Sequence, residues 1–254
     1  MVTDSKNVPI TTLAREHFQV LEDNKEQKIE YFAGASEPMT LGLVMGLSLR
    51  GPVKAAGQKD RVTVDITNAA SRVREAHTAS TPGNVVQLPL DSDALFTSLT
   101  KAVDDLSKQP STKKALVIVG DGLNSSGTSG DIPHPNALVN ASKNMPFPIH
   151  FLLLVQSLPA PSFTEGSSNA TGFYLQQIAE FSGGEMFVGQ IENDLTSVST
   201  ALRDGLKNQY VLGFNSPNTA KDGKWRKLTV KLTPPAGTPK TKIRAKERYF
   251  VPKG

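Results

Sequence analysis

Cysteine is absent from all 254 residues. That excludes disulfides, thiolate metal centres and cysteine nucleophiles, while leaving the redox compartment open. Long apolar runs are missing as well. The longest, Ile149–Val155 (IHFLLLV), is far short of the roughly 20 residues a membrane-crossing helix needs, so no membrane insertion is expected. The histidines His17, His77, His134 and His150 stand apart, without His-Glu-x-x-His or any other paired spacing, so a zinc site is not expected. Aromatic residues make up only 6% and interleave little with the basic residues near the C-terminus, which argues against a nucleic-acid surface. The opening MVTDSKNVPI is polar and carries no signal-peptide pattern.

What is present is an ordinary globular balance, 38% hydrophobic and 20% charged. A chain of this size buries roughly 70–75% of its unfolded surface, so it needs neither disulfide nor metal to hold a core. The net charge is +4. Much of the basic excess alternates along the last strand-like stretch, at Lys227, Lys231, Lys242, Arg244, Lys246 and Arg248. On a strand, such alternation predicts a solvated face that also blunts a sheet edge.

Five short apolar runs punctuate the middle of the chain: LGLVMGL (from Leu41), VVQLPL (from Val85), ALVIVGD (from Ala115), IHFLLLV (from Ile149) and EMFVGQ (from Glu185). Between them, apolar residues recur at helical spacing. Val62, Ile66, Ala69, Ala70 and Val73 form one such face. Leu95, Leu99, Val103 and Leu106 form a second behind a Ser92 cap, and Leu195, Val198, Leu202 and Leu206 a third behind an Asp194 cap. Shorter helices are expected around Asn136–Lys143 and Tyr174–Phe181, the latter stopped by Ser182-Gly183-Gly184. Strands alternating with helices predict an α/β fold with a doubly wound, Rossmann-like, mainly parallel sheet.

The two ends read differently. FQVLED and EQKIEYF flank Asn24-Lys25 as a hairpin, and YVLGFN, KWRKLTVKLT and TKIRAKERYFV are strand-like, with YVLGFN able to belong to either sheet. The economical expectation is an α/β domain over residues 36–209 and a small β subdomain made of residues 1–35 together with 210–254. In that subdomain Trp225 and Tyr249 serve either as core anchors or as a partner surface.

Five phrases in order carry a family resemblance: TTLAREHFQVLEDNKEQKIEYF, KDRVTVDITNAASRV, ALVIVGDGLNSS, LQQIAEFSGGEMF and LRDGLKNQYVLGFNSP. Over about Thr11 to Phe250 the chain resembles the von Willebrand factor A-type domain, in the form found in secreted acidobacterial proteins. The resemblance implies a bacterial, extracytoplasmic binding module of adhesion type that is not an enzyme, with a protein or surface polymer as partner. It also implies a metal-ion-dependent adhesion site at the carboxyl ends of the strands, where Asp-x-Ser-x-Ser, a loop Thr and an Asp-Gly pair hold Mg²⁺.

In this chain that pattern is incomplete. Gly46 stands at the first Asp, Ser48 at the first Ser and Arg50 at the second, while Asp121-Gly122 keeps the Asp-Gly pair. Asp93 is the nearest match to the loop Thr, and Asn124 lies in the following Gly/Ser-rich loop GLNSSGTSGD. The expected binding edge is therefore Gly46, Ser48, Arg50, Asp93, Asp121 and Asn124, with no cofactor. The alternative is a Mg²⁺ site retained on Ser48, Asp93 and Asp121. Arg50 suggests a third arrangement, in which a guanidinium directed at Asp121 replaces the cation.

An enzyme reading competes for the same residues. Gly46–Arg50 (GLSLR) is close to a nucleophile elbow, and Ser48, Asp121 and His150 follow the chain order of α/β-hydrolases. The second glycine of that motif is replaced by Arg50, however, and His150 falls inside an apolar strand where a packing role is expected. The loop GLNSSGTSGD lacks the glycine and lysine spacing of a phosphate cradle, and the carboxylate pairs Glu22-Asp23 and Asp104-Asp105 read as surface groups.

Overall fold

Strands that are apolar at nearly every position need cover on both faces, and the five apolar segments meet that need by pairing side by side. The computed structural model describes residues 1–46, 68, 70–75, 84–88, 95–111, 113–120, 135–155, 170–190 and 195–254. Strands β5 (Thr40–Gly46), β6 (Val85–Leu88), β7 (Lys114–Gly120), β8 (Ile149–Val155) and β9 (Met186–Gln190) form one all-parallel sheet in the order β6-β5-β7-β8-β9. The fold is thus α/β and compatible with a Rossmann-like architecture.

The period-2 geometry of the strands sorts their residues between the two faces. Val44, Leu116, Ile118, Ile149, Phe151 and Leu153 pack on one face with α2 (Leu95–Ser107), α3 (Pro135–Ser142) and α4 (Ala170–Ser182), through Leu99, Ala102, Leu106, Leu138, Val139, Leu175 and Ile178. On the other face Leu41, Leu43, Val117, Val119, Leu152 and Leu154 are equally buried. Each such side chain contributes about 1.5–3 kcal/mol by leaving water. The described part of α1 (70–75) buries Ala70 and Val73, and its Arg72 Nη1 donates to Thr196 Oγ1 of α5 (Leu195–Lys207) at 3.1 Å. Val62, Ile66, Ala69 and the caps Ser92 and Asp194 lie outside the described residues.

Helix α4 ends as its glycines predict. Gly183 takes φ 87°, its N–H bonds to Glu180 O, and the Gly184 N–H reaches back to Ala179 O. This pair of bonds satisfies the last carbonyls of the helix and turns the chain into β9. Asp104 and Asp105 stand on the surface of α2, where Asp104 pairs with Lys108 at 2.5 Å. Both groups of that pair are exposed, so solvent screens it and it adds little to stability.

By contact density the chain divides into two units, Met39–Arg203 and Met1–Pro38 together with Asp204–Gly254. In the second unit β1 (Val2–Asp4) pairs with β12 (Thr241–Ile243), and β4 (Tyr31–Ala33) pairs with β10 (Val211–Gly213). β13 (Arg248–Phe250), β11 (Trp225–Leu232), β2 (Phe18–Glu22) and β3 (Lys25–Gln27) form a four-stranded antiparallel sheet in that order. YVLGFN, open between two sheets on sequence, pairs with β4. The hairpin turn falls one residue earlier than the sequence suggested, on Asp23 and Asn24, both at positive φ (46° and 66°). That is the primed turn whose twist matches the flanking strands. Val2, Leu13, Phe18, Val20 and Ile29 form this unit's core, with Phe32, Tyr210 and Leu212 packed against them.

Candidate functional site

In an open parallel sheet every strand ends at the same edge, and ligands bind where successive connections depart to opposite sides. Here β5 is followed in the chain by β6 on one flank, and β7 then joins on the other, so the switch point lies between β5 and β7. The register places Gly46 opposite Gly120 as the last pair of these two strands, and Val44 opposite Leu88 on the flank. Two glycines therefore meet at the carboxyl edge, and neither brings a side chain to it.

Of the sequence-predicted site residues, one belongs to this pair. Gly46 is described and sits at the switch point. Ser48, Arg50, Asp93, Asp121 and Asn124 lie outside the described residues. Their connection to the edge is given by the chain itself: Asp121 directly follows Gly120, Ser48 is two residues after Gly46, and Asp93 follows the end of β6 at Leu88.

The metal expectation can be tested at Gly46. Mg²⁺ takes hard oxygen donors, and the strand-end position that carries the first carboxylate in the resembling family here has only hydrogen for a side chain. Gly46 brings no side-chain oxygen to the strand end, and Ser48, Asp93 and Asp121 of the alternative Mg²⁺ site lie outside the described residues. Among the described residues, no group of three His, Asp or Glu side chains is placed to hold a metal.

His150 is part of the sheet interior and not of this edge. It is 2% exposed, stands opposite Val117 and lies near the Phe187 ring, with centroids 6.5 Å apart. Leu153, three residues further on, is the β8 residue level with Gly120. At about 3.3 Å per residue, His150 is thus about 10 Å below the edge.

The second unit contains a polar cluster that the sequence did not single out. Glu22 is buried, and its carboxylate accepts from the Tyr249 hydroxyl and from Ser216 Oγ, the latter at 2.6 Å. Arg226, also buried, donates to Asp222 Oδ1 at 3.1 Å and Ala220 O at 3.3 Å, with Asp23 at 4.0 Å. The hydrogen bond from Arg226 holds the Asp222 carboxyl below its ordinary pKa. Burial, then the bond to Glu22, pushes the Tyr249 phenol up. The signal was phase: Arg226 alternates with Lys227 and shares the face of Leu228, Val230 and Leu232, while Glu22 pairs with Leu228. Tyr249 lies within the cluster, and Trp225 is on the opposite face of the sheet.

The basic residues also separate. Lys227, Lys231 and Arg248 are exposed, as the alternation predicts, whereas burial lowers the pKa of Lys246 to about 8. No helix among the described residues is long and apolar enough to cross a membrane. In comparisons with known proteins, no family model matches the chain and no curated protein matches it.

Proposed function

We propose that this chain is a von Willebrand factor A-type binding module, without chemistry of its own, whose partner docks at the carboxyl edge of the parallel sheet. The observation that carries the reading is the Gly46–Gly120 pair at the switch point. It opens the edge at the place where doubly wound sheets take ligands, beside the chain positions of Ser48 and Asp121. The position of His150 below the edge supports a role without catalysis.

In this reading the metal has been lost together with its first carboxylate. Arg50, standing at a ligand position of the resembling family, directs its guanidinium to Asp121 and holds the edge by a charge-assisted pair. The partner is a protein or a surface polymer met outside the cytoplasm, and the strands of the two chain ends form an accessory β subdomain. The second reading keeps Mg²⁺ on Ser48, Asp93 and Asp121.

A photo-crosslinking residue placed at Ser48, and at Lys207 as control, tests the proposal on bacterial envelope fractions. Adducts from the Ser48 position that persist in EDTA are the expected result. Adducts lost in EDTA favour the Mg²⁺ reading. Adducts only from the control position, or labelling of wild-type Ser48 by a fluorophosphonate, overturn the proposal.

A further inference from the structure

In the antiparallel sheet of the second unit, paired residues share a face. Phe18, Val20 and Glu22 of β2 are buried and stand opposite Leu232, Val230 and Leu228 of β11. The alternate residues therefore make the outer face: Trp225, Lys227, Thr229 and Lys231 from β11, Arg248 and Phe250 from β13, and Gln19 and Leu21 from β2. Lys227, Lys231 and Arg248 are exposed on it, and Trp225 and Phe250 half-buried.

The aromatic and basic groups are organised. The Arg248 guanidinium lies 4.6 Å from the Trp225 ring centroid, and the Phe250 ring meets Trp225 edge-on at 5.5 Å. Stacking holds the planar fork of Arg248 in place, so little freedom is lost when it binds a carboxylate. Lys227 stands opposite Arg248, and Lys231 follows about 13 Å further along β11. The acidic groups of this face, Glu26 opposite Leu21 and Asp23 of the hairpin, lie on the other side of β11. Asp23 is already engaged by the Lys227 N–H and Arg226. The cations thus form a strip along β11 and β13.

The charge of the whole unit agrees. It carries sixteen Lys and Arg against ten Asp and Glu, whereas Met39–Arg203 carries twelve against fourteen. The chain's positive excess belongs to the β-rich unit alone.

We propose that the outer face of the β13-β11-β2-β3 sheet binds a linear acidic polysaccharide, with carboxylates on Arg248, Lys227 and Lys231 and the apolar faces of sugar rings on Trp225 and Phe250. A nucleic acid fits less well, because successive bases need a row of aromatic platforms and this face has only the Trp225–Phe250 pair. A flexible acidic peptide loses more conformational entropy on a flat surface than a stiff sugar chain does. This face and the carboxyl edge are made of different residues, so either proposal can fail alone.

Trp225 is the chain's single tryptophan, so its emission reports occupancy of this face without any substitution. The full chain is titrated with polygalacturonate, dextran, polyglutamate and a single-stranded oligonucleotide. Polygalacturonate is expected to change the Trp225 emission, dextran to leave it unchanged, and rising salt to weaken binding steeply. Lys227→Ser/Lys231→Ser/Arg248→Ser is expected to weaken binding at least tenfold, and Lys227→Ser/Lys231→Ser, which keeps the Arg248 stack, severalfold. Lys6→Ser/Lys221→Ser/Lys240→Ser, with the same change of charge elsewhere, is expected to weaken it less than twofold. Absence of polygalacturonate binding, binding without a change in emission, or equal losses in the two triple variants would overturn the proposal. Tighter binding of the oligonucleotide or of polyglutamate would overturn it in favour of that polymer.

Discussion

Gly46 stands directly opposite Gly120 as the last registered pair of two parallel strands, at the point where the sheet's connections part. Neither residue offers a donor or fills the edge. Whatever side-chain chemistry the edge has comes from the chain that follows each glycine, and in the proposed reading Gly46 stands where a divalent ion would have its first carboxylate anchor.

Restoring that anchor is therefore a direct test. In Gly46→Asp/Arg50→Ser the Asp-x-Ser-x-Ser pattern is complete again, and 5 mM MgCl₂ at about 100 times Kd stabilises by about 2.7 kcal/mol. Differential scanning calorimetry is expected to show a Mg²⁺-dependent rise in Tm for the double variant and none for the wild-type chain. A rise in the wild type would speak for the retained-metal reading.

Gly184 has a different constraint. A Cβ built on it meets Ile149 O at 2.0 Å and Ile149 C at 2.5 Å, both backbone atoms of a central strand. Neither can retreat without breaking the sheet, so Gly184→Ala is expected to cost about 3 kcal/mol or more. Thermal unfolding should fall by about 10 °C. An unchanged Tm would show that the close approach of Gly184 to the Ile149 backbone does not constrain this position.

Within the β-rich unit, Tyr249→Phe removes one of the two side-chain donors to the buried Glu22 carboxylate and leaves Ser216. A hydrogen bond to a charged group is worth about 1.5–3 kcal/mol, and a loss in that range is expected from urea unfolding. Glu22→Gln/Tyr249→Phe should cost less than the sum of the single changes, because the two groups act as one contact. Additive costs would show that Tyr249 stabilises by other means.

Lys246 makes stability depend on alkaline pH. Burial lowers its pKa from the ordinary 10.5 to about 8, so the unfolded chain binds more protons between these values. Stability is expected to rise with pH from about 8 to about 10.5 and then level off. Lys246→Met should be more stable than wild type at pH 7 and should lose this rise, as read from urea midpoints across the range. A flat wild-type profile would show that the amine reaches water in both states.

Much of the parallel sheet was legible because each apolar run and each helical face repeats at its own period. IHFLLLV can satisfy its composition only where both faces are covered, and the strand it forms is covered on both. The glycine stop after α4 was equally local, since the left-handed cap at Gly183 depends on one residue's freedom. Arg226 and Glu22 were not legible, because a charged residue on the buried phase of a strand reads like its exposed neighbours until the register shows what faces it. Lys246 was hidden differently: it lies in the connection between β12 and β13, within a run of cations where no strand phase distinguishes it.

The sequence by itself determined the five strands of the parallel sheet, the alternating charges of β11, and the absence of any carboxylate at position 46. Only the tertiary structure decided that Gly46 meets Gly120, that His150 lies below the edge, and that Arg248, Trp225 and Phe250 share one open face. The physical reason is range. Periodicity and capping act over a few residues, whereas strand order and register are set by burial summed over the whole core, which no local pattern encodes.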